Sequence, residues 1–223
     1  MRTASDFDAY YANSDPWRIS GARSRDNALR RSVARFVTGK KVLELGCGEG
    51  HLTQALFFDA ASVKGIDISG VAIGRAIAKR LPNATFENLD FLDTSYEGYG
   101  VIAAIECLCY LSTSEQEGFF AKVAREHSGK TLIISCPIIG QNEHRKYFTH
   151  KEVLDTLARH GISVIEFHNL NVHRKTPRVN RAVANVAAAL VRAPFGRSYG
   201  LTPSPIGSFI SAAILLAESA PTD

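Results

Sequence analysis

Apolar and polar positions fall into blocks along the chain, and the blocks show two periods. Short, nearly continuous apolar runs predict strands buried on both faces: Lys41–Leu45, Ser62–Ile68, Ala84–Asn88, Val101–Ile105, Lys130–Ser135 and Ile162–Phe167. A seventh strand is expected at Phe209–Leu216. Between the runs the apolar spacing changes to three and four. It predicts helices over Asn27–Phe36, His51–Phe58, Ser69–Arg80, Glu115–His127 and Thr149–His160. Thr149, with Glu152 three residues later, is a capping box, and Gly161 ends that helix. The stretch from Asp6 to Arg25 is aromatic and reads as irregular. Alternating strands and helices argue for an α/β fold: one Rossmann-like, doubly wound, mostly parallel sheet of seven strands. Ligands of such sheets bind at the carboxyl ends of the strands, near the point where the strand order reverses.

Composition narrows the class. At 223 residues, 45% hydrophobic and 22% charged, the chain suits a single domain (1–223) and is not a disordered polymer. No apolar run approaches the ~20 residues that span a bilayer, and the start lacks the apolar core of a secretory signal, so a cytoplasmic protein is expected. Cys47, Cys107, Cys109 and Cys136 each sit on a strand or at its tip, as small buried hydrophobes do. Neither a disulfide framework nor a metal site is expected from them.

One stretch breaks the pattern. Between Glu166 and Glu218 there is no acidic residue, while Arg174, Lys175, Arg178, Arg181, Arg192 and Arg197 fall inside it. Val179, Val183, Val186 and Leu190 share one helical face there. Residues 174–208 therefore read as a basic helix and loop inserted ahead of the last strand. The net charge of +4 permits anionic partners without requiring them.

The sharpest chemical signal is Val42-Leu43-Glu44-Leu45-Gly46-Cys47-Gly48-Glu49-Gly50. A buried strand ends in small residues, the chain turns tightly, and the next helix aims N–H groups at whatever touches the turn. About 17 residues further on, Asp67 ends the next strand, where a carboxylate can accept hydrogen bonds from ribose hydroxyls. Together they indicate a nucleoside cofactor. Glu44 lies two residues before the first glycine, where a cationic amino-acid group fits and a pyrophosphate is repelled.

These residues resemble class I S-adenosylmethionine-dependent methyltransferases. Residues 42–50 are similar to motif I, Gly65-Ile66-Asp67-Ile68-Ser69 to motif II, and Asn88-Leu89-Asp90-Phe91 to the acidic turn that meets adenine. Ile105-Glu106-Cys107-Leu108-Cys109-Tyr110-Leu111 is similar to motif IV. The resemblance spans roughly residues 30–170. It implies S-adenosyl-L-methionine as cofactor and S-adenosyl-L-homocysteine as product. Glu44, Gly46, Cys47, Gly48, Asp67, Ile68, Asp90, Phe91 and Glu106 are the expected cofactor contacts. The opening Phe7-Asp8-Ala9-Tyr10-Tyr11-Ala12-Asn13-Ser14-Asp15-Pro16-Trp17-Arg18 resembles that of nodulation-protein-S-like N-methyltransferases, which act on a glucosamine amino group. It makes residues 1–26 an expected aromatic lid, with Tyr11 and Trp17 over the cofactor, although the same rings also suit plain packing of a helix. The insertion has no counterpart in that group.

Methyl transfer demands alignment of nucleophile and methyl group more than a fixed catalytic signature. Glu106, Tyr110 and His144 are the candidates for base and orienters. The acceptor is expected to be a small molecule, an amino or hydroxyl group of a saccharide, rather than nucleic acid, and the protein is expected to be a monomer or homodimer. The competing readings are an RNA or protein methyltransferase docking through the basic insertion, a non-catalytic S-adenosylmethionine-binding protein, and an NAD oxidoreductase.

Overall fold

Strand β1 (Lys41–Leu45) shows how the sheet is built. Leu43 and Leu45 face one layer of helices and Val42 the other, so the run is apolar on both sides. A computed structural model of the chain describes residues 3–20, 30–31, 33–136, 149–170 and 212–219. After β1 come α2 (His51–Leu56), β2 (Ser62–Asp67), α3 (Gly70–Ala78), β3 (Ala84–Asn88) and β4 (Val101–Ile105). A 3₁₀ turn at Leu108–Tyr110 follows, then α4 (Thr113–Glu126), β5 (Thr131–Cys136), α5 (His150–Arg159), β6 (Ile162–Leu170) and β7 (Ala212–Ser219). Residues 30–31 and 33–37 are helical, and α1 (Ala4–Tyr10) precedes them.

The strand order is β3-β2-β1-β4-β5-β7-β6. From β1 the chain crosses to β2 on one side, and it later returns to β4 on the other, so the order reverses between β1 and β4. The register puts Leu45 beside Ile66 and Ala104. The ends of β1, β2 and β4 are therefore level, and the turns that follow them share one crevice. The first five strands pair in parallel; β7 runs antiparallel to both β5 and β6.

Two apolar clusters fill the two faces. Leu43, Leu45, Ile102, Ala104, Leu132 and Ile134 meet Phe119, Phe120 and Val123 of α4 and Val153 and Leu157 of α5. Val42, Val63, Val101, Ala103, Ile105 and Ile133 meet Leu52 and Leu56 of α2 and Val33 and Val37.

The first segment differs from the sequence expectation. It contains a helix, because Thr3 and Asp6 make a reciprocal capping box. The last strand is described over Ala212–Ser219, and the expected start at Phe209 lies outside the described residues. The Thr149–Glu152 capping box is present, and Ser112 with Glu115 makes a further one that starts α4 earlier than expected. The basic insertion, residues 174–208, lies outside the described residues. No described helix is long and apolar enough to cross a membrane.

Candidate cofactor and acceptor site

The crevice at the strand ends is a cavity of about 170 Å³. Its floor is the turn after β1. Gly46, Gly48 and Gly50 have φ of 66°, 55° and 71°, a left-handed backbone that favours glycine. A Cβ on Gly48 would stand 2.5 Å from the Tyr11 hydroxyl, and one on Gly46 would stand 2.7 Å from the Cβ of Cys107. The turn is thus in close contact with other chain segments, and bare backbone is what allows it.

Asp67 ends β2 beside this turn. Its Oδ2 accepts the Gly48 N–H at 2.8 Å and its Oδ1 accepts the Ser69 N–H at 2.9 Å. The carboxylate therefore locks the glycine turn to the start of α3. Burial raises its pKa; the two N–H donors offset only part of that rise. Asp90, in the turn after β3, accepts the Leu92 N–H at 2.9 Å and lines the cavity with Phe91 and Ile68.

Glu44 takes a different place from the other expected contacts. It points to the α2 side of β1, fully buried, accepts a hydrogen bond from the Thr53 hydroxyl, and is not among the cavity-lining residues. Burial pushes its pKa up to about 8, so at neutral pH this carboxyl is largely uncharged. Cys47, Cys107 and Cys109 are buried thiols, outside any disulfide, that line the cavity, and burial pushes the Cys47 thiol well up.

The opposite wall comes from the end of β4 and from the N-terminal segment. Glu106 follows β4 with φ of 56°, its N–H bonded to the Ser135 carbonyl at 2.8 Å. A non-glycine residue in this conformation is strained, and such strain gathers at functional sites. Tyr110 lies one 3₁₀ turn on. Its ring meets Phe7 edge-on at 5.2 Å and Trp17 at 6.5 Å; Trp17 also meets Tyr11 at 5.1 Å and stacks on Tyr10 at 5.8 Å.

The structure thus brings together Tyr11, Trp17, Gly46, Cys47, Gly48, Asp67, Ile68, Asp90, Phe91, Glu106 and Tyr110 around one cavity. His144 lies outside the described residues. The sequence reading missed Asp15, Glu49 and Glu115 as lining residues. Glu49 carries a signal in hindsight: a charged residue inside a glycine turn needs a partner. Its Oε1 takes Arg75 Nη1 at 2.6 Å and its Oε2 bonds His51 Nε2 at 3.0 Å. Burial pushes the Glu49 carboxyl up, but the bonds from Arg75, His51 and the Asp15 N–H outweigh it and hold the carboxyl below its ordinary value.

Residues 42–126 match the family described as "Methyltransferase domain". A curated ubiquinone biosynthesis O-methyltransferase from Paraburkholderia phymatum is 41% identical over 54 residues. That stretch covers 24% of this chain and 23% of that protein, so the match spans about a quarter of the relative's length. Two solved structures share the fold over nearly all of both chains. One is the N-methyltransferase NodS from Bradyrhizobium japonicum with S-adenosylhomocysteine (TM-score 0.68, 18% identity, 100% of each chain). The other is magnesium protoporphyrin IX methyltransferase from Synechocystis with S-adenosylmethionine (TM-score 0.66, 17% identity, 99% of this chain and 98% of that one). Residues 42–126 therefore match a methyltransferase domain, and the chain shares a Rossmann-like methyltransferase fold with these solved enzymes.

Proposed function

We propose that the chain is a class I S-adenosylmethionine-dependent methyltransferase, and that it methylates the amino or hydroxyl group of a small saccharide. The observation that carries the cofactor assignment is the lock between Gly48 and Asp67 at the level ends of β1 and β2. The residues fit the cofactor. A bare-backbone turn, closely approached by the Tyr11 hydroxyl at Gly48, lies beside a carboxylate suited to a ribose diol. Asp90 and Phe91 line the same cavity, and in this reading they give an adenine edge an acceptor and its face an apolar cover.

When bound, S-adenosylmethionine supplies a methyl group on a sulfonium that an in-line nucleophile displaces. The protein's part is to align the two, exclude water and handle one proton. Trp17, Tyr11 and Tyr110 offer rings that favour a cationic centre and cover the cavity. Glu106, held in a strained backbone at its mouth, is positioned to take the acceptor's proton, with Tyr110 orienting the acceptor. His144 is proposed as a second orienter, from its position after β5 in the sequence. Aromatic rings suit the apolar faces of a sugar, and the N-terminal segment resembles that of the nodulation-protein-S-like enzymes.

Charge argues against a polyanionic acceptor such as RNA. Asp15, Glu49, Asp67, Asp90, Glu106 and Glu115 line the cavity, and among the described lining residues there is no Lys or Arg. The test is S-adenosylhomocysteine release across amino sugars, chito-oligosaccharides, acidic sugars, small phenols and bulk RNA. Turnover on one sugar class supports the proposal. Turnover on RNA alone overturns the acceptor, and cofactor binding without turnover on any member favours a non-catalytic binding protein.

A further inference from the structure

The N-terminal segment is fastened to the site at two points, and both fasteners are carboxylates. The first is Glu49. Its Oε2 accepts the Asp15 N–H at 3.0 Å and the Ser14 hydroxyl at 3.3 Å, while Oε1 holds Arg75 of α3. With a side chain only 3% exposed, Glu49 concentrates these bonds in a dry place, where each is stronger than it would be in water. The second is Asp8 of α1. Its Oδ1 accepts the Ser69 hydroxyl at 2.6 Å and the Val71 N–H at 3.2 Å.

The two fasteners flank Asp67. Glu49 is the neighbour of Gly48, and Ser69 is gripped by Asp8 through its hydroxyl and by Asp67 through its N–H. Between them Tyr11 is 7% exposed, with its hydroxyl seated over Gly48. Trp17, just beyond the Ser14–Asp15 contact, lines the cavity. A ligand lying along the glycine turn is therefore covered by a segment whose hold depends on the turn itself.

We infer that Glu49 is a positioning residue which latches the N-terminal segment over the cofactor, with Asp8 as the second clip, so that opening this latch sets the rate of cofactor exchange. The identity of the cofactor in this inference rests on the methyltransferase reading; the latch does not. The effect of Glu49 passes through Ser14 and Asp15 to Tyr11 and Trp17.

The chain has one tryptophan, and it lies in the latched segment, so its fluorescence reports closure directly. The experiment measures acrylamide quenching of Trp17 and the dissociation rate of S-adenosylhomocysteine in the full chain and in Glu49→Ala, Glu49→Gln and Asp8→Asn. Glu49→Ala is expected to raise the quenching constant about threefold and the dissociation rate about tenfold, as for loss of a buried charge-assisted contact. KM for the cofactor rises as well. Glu49→Gln keeps an oxygen for the Asp15 N–H and Ser14, so it falls between wild type and Glu49→Ala. Asp8→Asn shifts both readouts in the same direction. Wild-type quenching and release in Glu49→Ala overturn the latch; should that variant fold poorly, the same result in Asp8→Asn overturns it. If the wild type binds no S-adenosylhomocysteine, the methyltransferase reading falls, and Trp17 quenching still decides the latch.

Discussion

The two walls of the cavity are made in different ways. The wall proposed for the cofactor is mostly backbone: three left-handed glycines, two N–H groups on Asp67, and strand ends brought level by parallel register. The wall proposed for the acceptor is mostly side chains drawn from distant parts of the chain: Phe7, Tyr11 and Trp17 together with Glu106 and Tyr110. A backbone wall offers the same N–H groups and the same turn whichever side chains surround it, and it suits a fixed ligand. A side-chain wall can be rebuilt by substitution, and it suits a ligand that differs between relatives.

The comparison breaks most sharply at Asp67. Asp67→Ala removes the carboxylate that holds Gly48 and Ser69, and S-adenosylhomocysteine affinity is expected to fall about 100-fold or more, measured by calorimetry. Gly48→Ala is expected to cost about 10- to 50-fold in the same titration, since the new Cβ meets Tyr11 at a left-handed φ. Glu106→Gln sharpens the division instead. It should lower kcat about 10-fold or more and leave cofactor affinity within about threefold, which steady-state kinetics and titration together would show. Equal losses of kcat and cofactor affinity in that variant would erase the distinction between the walls.

The last prediction concerns stability, away from both walls. Glu44 holds its proton more tightly folded, with a pKa near 8, than at its ordinary value of 4.5. Its contribution is therefore complete below pH ~4.5 and is lost as pH rises towards about 8, by on the order of 1 kcal/mol per pH unit crossed. Glu44→Gln should flatten that decline in urea midpoints measured between pH 5 and 8.

What was legible in the sequence follows the same division. β1, β3 and β4 were readable to the residue; for β4 the reason is plain, since a strand buried on both faces is an unbroken apolar run ending at a polar turn. Gly46, Gly48 and Asp67 were readable because local geometry dictates them. Helix α1 was not, since its capping box uses Asp6 in place of Glu or Gln and its residues are aromatic. Nor was the role of Glu49, whose partners lie 34 and 35 positions before it and 26 after it. Glu44 looked like a ligand contact from its spacing, but strand alternation turns it towards Thr53. Long-range polar pairing leaves no periodic trace in the chain.

The central claim is that this cavity takes S-adenosylmethionine and not a dinucleotide. The most direct measurement is parallel calorimetric titration of the wild-type chain with S-adenosylhomocysteine and with NAD. One-to-one binding of S-adenosylhomocysteine with no heat from NAD is the predicted result. Binding of NAD, or no binding of S-adenosylhomocysteine, would contradict it.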